Sequence, residues 1–497
     1  MVHTVADVLA ATARRTPDGV ALVHAGAHIT WAALDTRVSA FAHGARERGL
    51  RAGDRVALVL ANRTEFVVAH YGAIRAGLVS VPINPQLTSH ELAQRTHDTA
   101  PSLVICDASS EVAVREALMT NQIGTSGVIA VGSPGWGDLI RPDRVAVPAT
   151  APAPESIALL MFTAGTDGRA RAAMLSHRAM LAAVEQFGAL DPQPLAHDDT
   201  MLLSLPLVDP QALNGLLGLA VSVGATVVLE RRLDPDDAFS LLEREGVSVV
   251  AAAPSLFTDW TSRPEVVQAL RGVRLIASGQ AAMSPAVSSQ LLTLTGQRVW
   301  EGYGMVEATA LITSTSGLPS SAGSVGRALP GIELRVLDVD GDDVDEGDPG
   351  EVMVRGTTLF SGFWPDGVNG PGPDGWFDTR DVAYLDDDGD LHLVDRRHDL
   401  IVVNGFPVYP REVESVIAML DAVAECAVVG VDHPSSGQAV MALVVAVPDS
   451  ALSADEVLVH CSVRLARFKR PTIVEFVDQL PHVASGAIER HRLRSLR

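Results

Sequence analysis

A single lysine, Lys469, stands beside 37 arginines in this 497-residue chain, so any mechanism that needs an ammonium group has one candidate. Cysteine is almost as scarce. Cys106, Cys426 and Cys461 lie far apart, with no CxxC or Cys/His spacing, which argues against a disulfide framework and a zinc site and fits a reducing cytoplasm. Basic residues are outnumbered 38 to 60, giving a net charge of −22. A field of that sign repels phosphate backbones and anionic lipid, so nucleic acid and membrane surfaces are not expected partners. No apolar run is long enough to span a bilayer: the longest, Gly215 to Leu229, is interrupted by Ser222, Gly224 and Thr226 and reads as a buried helix followed by a strand. Asp7 and Arg14-Arg15 occupy the place where a signal peptide would keep its apolar block. Glycine (42) and proline (29) are scattered without a period, and 47% of residues are hydrophobic, which excludes fibrous and disordered classes.

The length calls for at least two domains, because single cores stop growing near about 250–300 residues. Leu34, Val38, Phe41 and Ala45 share one helical face, and the runs Arg55–Leu60, Val79–Asn84 and Ser102–Cys106 read as buried strands between helices. That alternation predicts α/β layers with parallel sheets. The Pro/Ala-rich segment 142–156 is expected to end one subdomain, and the apolar strand Ile157–Phe162 to begin the next. After Gly317 the texture changes to short strands with Gly/Asp turns, and a charged turn at 395–399 precedes a small α+β segment. The main boundary is therefore placed between residues 1–395 and 396–497.

The strand Ile157–Phe162 runs into Thr163-Ala164-Gly165-Thr166-Asp167-Gly168-Arg169-Ala170-Arg171, a glycine-rich turn whose backbone N–H groups could cradle phosphate, although it lacks the Walker pattern. Gly302-Tyr303-Gly304-Met305-Val306-Glu307 follows, then Trp376 to Asp381, Arg396 with Asp399, Gly405-Phe406-Pro407-Val408-Tyr409-Pro410, and Ser485-Gly486-Ala487. In this order and spacing the chain resembles the adenylate-forming (ANL) superfamily of acyl-CoA synthetases, peptide adenylation domains and luciferases. The Gly405-Phe406 segment is similar to the acyl-CoA ligase branch. The resemblance implies a large N-terminal domain of two parallel-type α/β sheets plus a β-barrel-like subdomain, and a small mobile α+β C-terminal domain. Such enzymes make acyl-AMP from acid and ATP, then rotate the small domain and let the CoA thiol displace AMP.

It also implies roles. Tyr303 stacks on adenine, with Gly304 beside it in the cofactor site and Gly279, Gln280 and Ala281 opposite. Asp381 accepts from the ribose hydroxyls, and Arg396 approaches ribose and phosphate. Thr163, Gly165, Thr166 and Gly168 belong to the phosphate loop, Glu307 holds the metal-ligand position, and His398 is the hinge. Gly405 and Phe406 wall the CoA-thiol channel, and Asp209, Trp300 and Gly302 border the acyl substrate. The acyl pocket is expected from Ser204 to Gly215, Ala277 to Ala281 and Trp300 to Gly304.

The departures from the family pattern carry the most information. Asp167 replaces a loop threonine, and a carboxylate about 4 Å from a phosphate oxygen is repelled by about 4 kcal/mol at an effective dielectric near 20. Asp209 stands in a histidine position, Val306 replaces a threonine, Arg380 replaces the glycine before Asp381, and Arg171 replaces a lysine. Ala487 replaces the lysine that donates to the charge developing in adenylation, and losing such a donor costs about 10²–10³ in rate. These losses fall on the step that consumes ATP. The residues implied to hold AMP and admit pantetheine remain. The expectation is a ligase that performs only acyl-AMP + CoA → acyl-CoA + AMP, with CoA and acyl-adenylate as substrates, use of ATP and Mg²⁺ in doubt, and a separate adenylating ligase as supplier. That pattern is similar to the non-adenylating acyl-CoA ligases of platensimycin and platencin biosynthesis, a diterpenoid antibiotic setting. Two other readings fit the same residues: a complete ATP-dependent synthetase, and a noncatalytic nucleotide- or acyl-CoA-binding paralogue. A homodimer is the prior for assembly.

Overall fold

The computed structural model describes residues 3–141, 152–164, 170–230, 235–279, 283, 285–316, 320–321, 323–338, 340–395, 401–447, 450–481 and 493. Two parallel-type sheets form the larger part, as the alternation of apolar strands and amphipathic helices predicts. In the six-stranded sheet the order is Val128–Ala130, Leu103–Cys106, Arg55–Val59, Val79–Pro82, Ile157–Ala164 and Ala170–Ser176, parallel except for the last pair. The seven-stranded sheet runs Val299–Trp300, Leu275–Ser278, Val249–Ala252, Thr200–Leu203, Thr226–Leu229, Val20–His24 and Ala27–Thr30, antiparallel only between the last two. The helix Trp31–Glu47 buries Leu34, Val38, Phe41 and Ala45 completely, as their spacing predicts. Side chains of both sheets join one apolar core, which also takes in Leu58, Leu159, Leu203 and Val227.

The expected subdomain break before Ile157 is not where the sheets divide. Ile157–Ala164 pairs with Val79–Pro82 through Ser80 and Leu159, so it completes the first sheet, while the early strand Val20–His24 joins the second. Ala158, Leu159, Leu160 and Met161 are all buried, which is the signature of a strand covered on both faces. That pattern announces a central strand, but periodicity does not say to which sheet it belongs.

Beyond residue 330 an antiparallel meander of Ile332–Leu337, Gly350–Gly356, Phe377–Leu385 and Leu391–Asp395 forms the third layer, beside the ribbon Thr313–Ser314/Arg327–Ala328. The C-terminal part is a five-stranded sheet. The long hairpin Val423–His433/Gly437–Ala446 is flanked by Ile401–Val403 and Phe406–Val408 on one side, and Ile473–Phe476 runs parallel to Gly437–Ala446. Helices Pro410–Ile417 and Ala454–Ser462 pack Val413, Ile417, Val457 and Cys461 onto it. Among the described residues, no helix is long and apolar enough to cross a membrane.

Candidate active site

Thr163, Gly279 and the Trp300–Tyr303 segment lie at or just beyond the carboxyl ends of parallel strands, where open α/β sheets leave a crevice for ligands. At the centre Tyr303 is 2% exposed, and its hydroxyl donates to Asp381 Oδ2 at 2.6 Å. The residues implied to hold adenine and ribose are therefore direct partners, although 78 positions separate them. The Tyr303 backbone is fixed as well, with its N–H on Thr313 Oγ1 at 3.3 Å and its carbonyl accepting from Ile312 and Thr313 N–H at 2.7 and 3.0 Å. This pairing explains the flanking glycines: a Cβ on Gly302 would lie 2.4 Å from the Thr313 carbonyl oxygen, and one on Gly304 2.1 Å from that of Ala310. Both are set by close backbone approach.

Glu307 sits in the short 3₁₀ turn that follows and is buried. Burial pushes its carboxyl up to about 7; the nearby Asp381 charge adds to the rise, while the hydroxyl of Thr163 and the Arg380 guanidinium oppose it. Thr163, Glu307, Arg380 and Asp381 are thereby brought together from three distant stretches of chain. Among the described residues no group of three or more His, Cys, Asp or Glu is placed to hold a metal.

Two departures acquire a local explanation. Asp209 Oδ1 accepts from the N–H groups of Gln211 and Ala212 at 2.9 and 3.2 Å and so caps the π-helix Gln211–Leu217, a helical form frequent at functional sites. Arg380 has φ +62°, a conformation that L-residues adopt at a cost and glycine adopts freely. Its N–H donates to Asp378 Oδ1 at 2.7 Å. Arg171 places its guanidinium 5.8 Å from the centre of the Phe363 ring.

The C-terminal hairpin precedes Tyr409, whose phenol feels the charges of this site. Asn404 and Gly405 both have positive φ, 52° and 77°, the two-residue turn that matches strand twist, and an Asn-Gly pair between apolar runs is its sequence signal. Phe406 packs against Phe468 with ring centres 4.7 Å apart. Tyr409, which sequence reasoning had not singled out, lies close enough to the site for its phenol to be raised, first by burial and then by the carboxylates of Glu307, Asp209, Glu412 and Asp381.

A small apolar cavity opens beside the site. Gln211, Ala277, Trp300 and Glu301 come from the three predicted segments. Sequence reasoning missed the contribution of Phe187, Leu195 and Val249, which carry no motif, and of Leu219, which lies in a stretch read as a buried helix. Gly279 is pressed against Gln211, whose Oε1 would be 2.3 Å from a Cβ. Of the remaining predicted positions, Gly165, Thr166, Asp167, Gly168, Gln280, Ala281, Arg396, His398 and Ala487 lie outside the described residues.

Comparison with known proteins agrees with this architecture. The profile of AMP-binding enzymes matches residues 9–364, and that of the AMP-binding enzyme C-terminal domain matches 412–487. A long-chain-fatty-acid–CoA ligase from Yersinia pestis is 32% identical over 520 residues, covering 97% of this chain and 92% of the relative. A feruloyl-CoA synthase from an Amycolatopsis species is also 32% identical, over 97% of this chain and 96% of its own. Among solved structures, a double mutant of o-succinylbenzoate CoA synthetase from Bacillus subtilis, bound with its product analogue OSB-NCoA, superposes with a TM-score of 0.85 at 26% identity and 98% coverage of both chains.

Proposed function

This chain belongs to the family of AMP-binding enzymes, in its acyl-CoA ligase branch, and on that premise we propose that it carries out the thioester-forming half-reaction alone, acyl-AMP + CoA → acyl-CoA + AMP. The observation that carries the reading concerns the only ammonium group. Lys469 is buried, with Nζ 2.9 Å from Glu91 Oε1 and 2.8 Å from Glu412 Oε1, and is committed to that cluster. With alanine at 487, no lysine is left to stabilise the charge of adenylation.

The second half-reaction asks less of the protein. The CoA sulfur attacks the acyl carbonyl, the C–S bond forms, the C–O bond to phosphate breaks, and AMP departs with the electron pair while the thiol proton passes to solvent or phosphate. Positioning dominates such a step because AMP is a good leaving group. On this reading Tyr303, with Gly304, flanks the adenine opposite Gly279, Gln280 and Ala281; Asp381 and Arg396 take the ribose and phosphate; and Gly405 and Phe406 border the thiol channel. His398 serves as the hinge at a boundary between residues 395 and 396. A partner ligase supplies the adenylate in the cytoplasm.

The acyl group is read from the cavity. Its lining is apolar apart from Gln211, Glu301 and Ser314, which suits an apolar acyl group. Relatives named for a long-chain fatty acid and for feruloyl support the same class. They also favour a second reading, a complete synthetase that consumes ATP with Mg²⁺ at Glu307, because they match this chain along nearly its whole length. A mass-spectrometric assay separates the two, with acid, ATP and CoA in one tube and synthetic acyl-AMP and CoA in the other. Acyl-CoA in the second tube alone supports the half-reaction. Product in both establishes the synthetase, and binding without product in either identifies a noncatalytic paralogue.

A further inference from the structure

The helix Ser89–Thr99, in the larger part of the chain, begins with a capping box in which Thr88 N–H and Oγ1–H both donate to Glu91 Oε2, at 2.9 and 2.8 Å. The other oxygen of that carboxylate, Oε1, accepts from Lys469 Nζ, 378 positions away in the C-terminal part. Lys469 also donates to Glu412, at the start of the helix Pro410–Ile417, and Arg95, one turn beyond Glu91, lies 3.8 Å from the same Glu412 oxygen. Glu91, Arg95 and Lys469 are 2%, 7% and 5% exposed. Two carboxylates, the buried Glu91 and the partly buried Glu412, and two buried cations thus form a neutral cluster across the junction, where the Arg464 carbonyl oxygen, 3.2 Å from Thr88 Oγ1, competes with Glu91 for that hydroxyl's one proton.

The cluster divides without leaving a charge stranded. Glu91 and Arg95 are four apart on one helix and stay with one part, while Lys469 and Glu412 stay with the other, so each part keeps a neutral pair. An unpaired buried charge would make separation costly, and a part that keeps zero net charge lowers that cost. The cluster also grips the hairpin at both ends, since Glu412 lies three residues past Tyr409 and Lys469 follows Phe468, the ring under Phe406.

We propose that Lys469 is a positioning residue: bridged to Glu91 it holds the C-terminal part so that the Gly405–Phe406 hairpin and Tyr409 face the adenylate site, and its release lets that part move away. The inference rests on the proposed reaction for its catalytic readout but not for its structural one. Because the chain has a single lysine, acetylation of Lys469 by an N-hydroxysuccinimide ester, followed by peptide mass spectrometry on the full chain, reports the bridge directly. Glu91→Gln keeps an oxygen for the cap but removes the charge, and a charge-assisted bond contributes about 1.5–3 kcal/mol, so Lys469 labelling should accelerate at least about tenfold. Glu91→Asp, which keeps the charge and shortens the reach, should fall between this variant and the wild type and provides a second reading if Glu91→Gln folds poorly. Given acyl-AMP and CoA, Glu91→Gln should lower kcat by about the same factor while KM for acyl-AMP stays within about twofold. Equal labelling rates in the wild type and both variants, with melting temperatures unchanged, would overturn the bridge whether or not the chain makes a thioester. Faster labelling with kcat unchanged in an active enzyme would overturn its positioning role.

Discussion

Replacing Arg380 with glycine tests whether the site stores backbone strain. At φ +62° an L-residue forfeits about 1–2 kcal/mol relative to the right-handed region, and glycine forfeits nothing. Glycine also loosens the unfolded chain, which returns about 0.4–1 kcal/mol, so the expected net effect of Arg380→Gly is stabilisation by about 1 kcal/mol. The N–H bond to Asp378 survives the change, and the side chain is exposed, so little packing is lost. A second consequence is electrostatic. The Arg380 guanidinium helps to hold the Glu307 carboxyl down against burial, so without it Glu307 should titrate above its present value of about 7. Urea unfolding followed by tryptophan fluorescence measures the first effect, and carboxyl chemical shifts or the pH profile of thioester formation the second. A destabilised Arg380→Gly protein would refute the strain argument, because the side-chain interactions of Arg380 would then outweigh the conformational cost.

Three further outcomes follow from the same geometry. Tyr303→Phe removes the 2.6 Å bond to Asp381 but keeps the ring, so it should cost about 1.5–3 kcal/mol of stability by urea unfolding and raise KM for acyl-AMP more than it lowers kcat. Gly304→Ala places a methyl 2.1 Å from the Ala310 carbonyl and 2.8 Å from Leu311 Cα, backbone atoms with no room to yield, and should lower stability by about 1–3 kcal/mol, read as a shift in the urea midpoint. Burial pushes the His70 imidazole down to about 3, where it stays neutral beside Ser80 Oγ at 2.9 Å. The unfolded chain takes up that proton below about 6.5, so the stability held above 6.5 is lost as pH falls toward 3, by about 2 kcal/mol between pH 7 and pH 5. His177, pushed down to about 4, acts in the same direction. Denaturant unfolding at the two pH values, repeated on His70→Gln with its slope flattened, checks the assignment.

Local pattern made much of this chain legible. Helical spacing identified the face of Trp31–Glu47 that is buried, and the apolar runs at 55–60, 79–84 and 102–106 became strands, because one turn of helix or one pleat of strand must point its apolar side inward whatever the topology. The ordered motifs likewise indicated the family, and at Gly302 and Gly304 the motif marks a place where backbone approaches backbone. The sequence also contained the Asn404-Gly405 turn signal in full.

What depended on distance along the chain was not legible. Which sheet received Ile157–Ala164 was settled by side-chain packing between elements nearly eighty residues apart, and the walls supplied to the cavity by Phe187 and Leu219 look in sequence like ordinary core. The place of Tyr409 among Glu307, Asp209 and Asp381, and that of Lys469 between Glu91 and Glu412, exist only once the two parts of the chain meet. The sequence by itself determined that only one lysine exists and that none stands at 487. The tertiary structure alone decided that this ammonium is already held by two carboxylates, one buried and one partly buried, because a charge removed from water must find its partners nearby in space, wherever they lie in the chain.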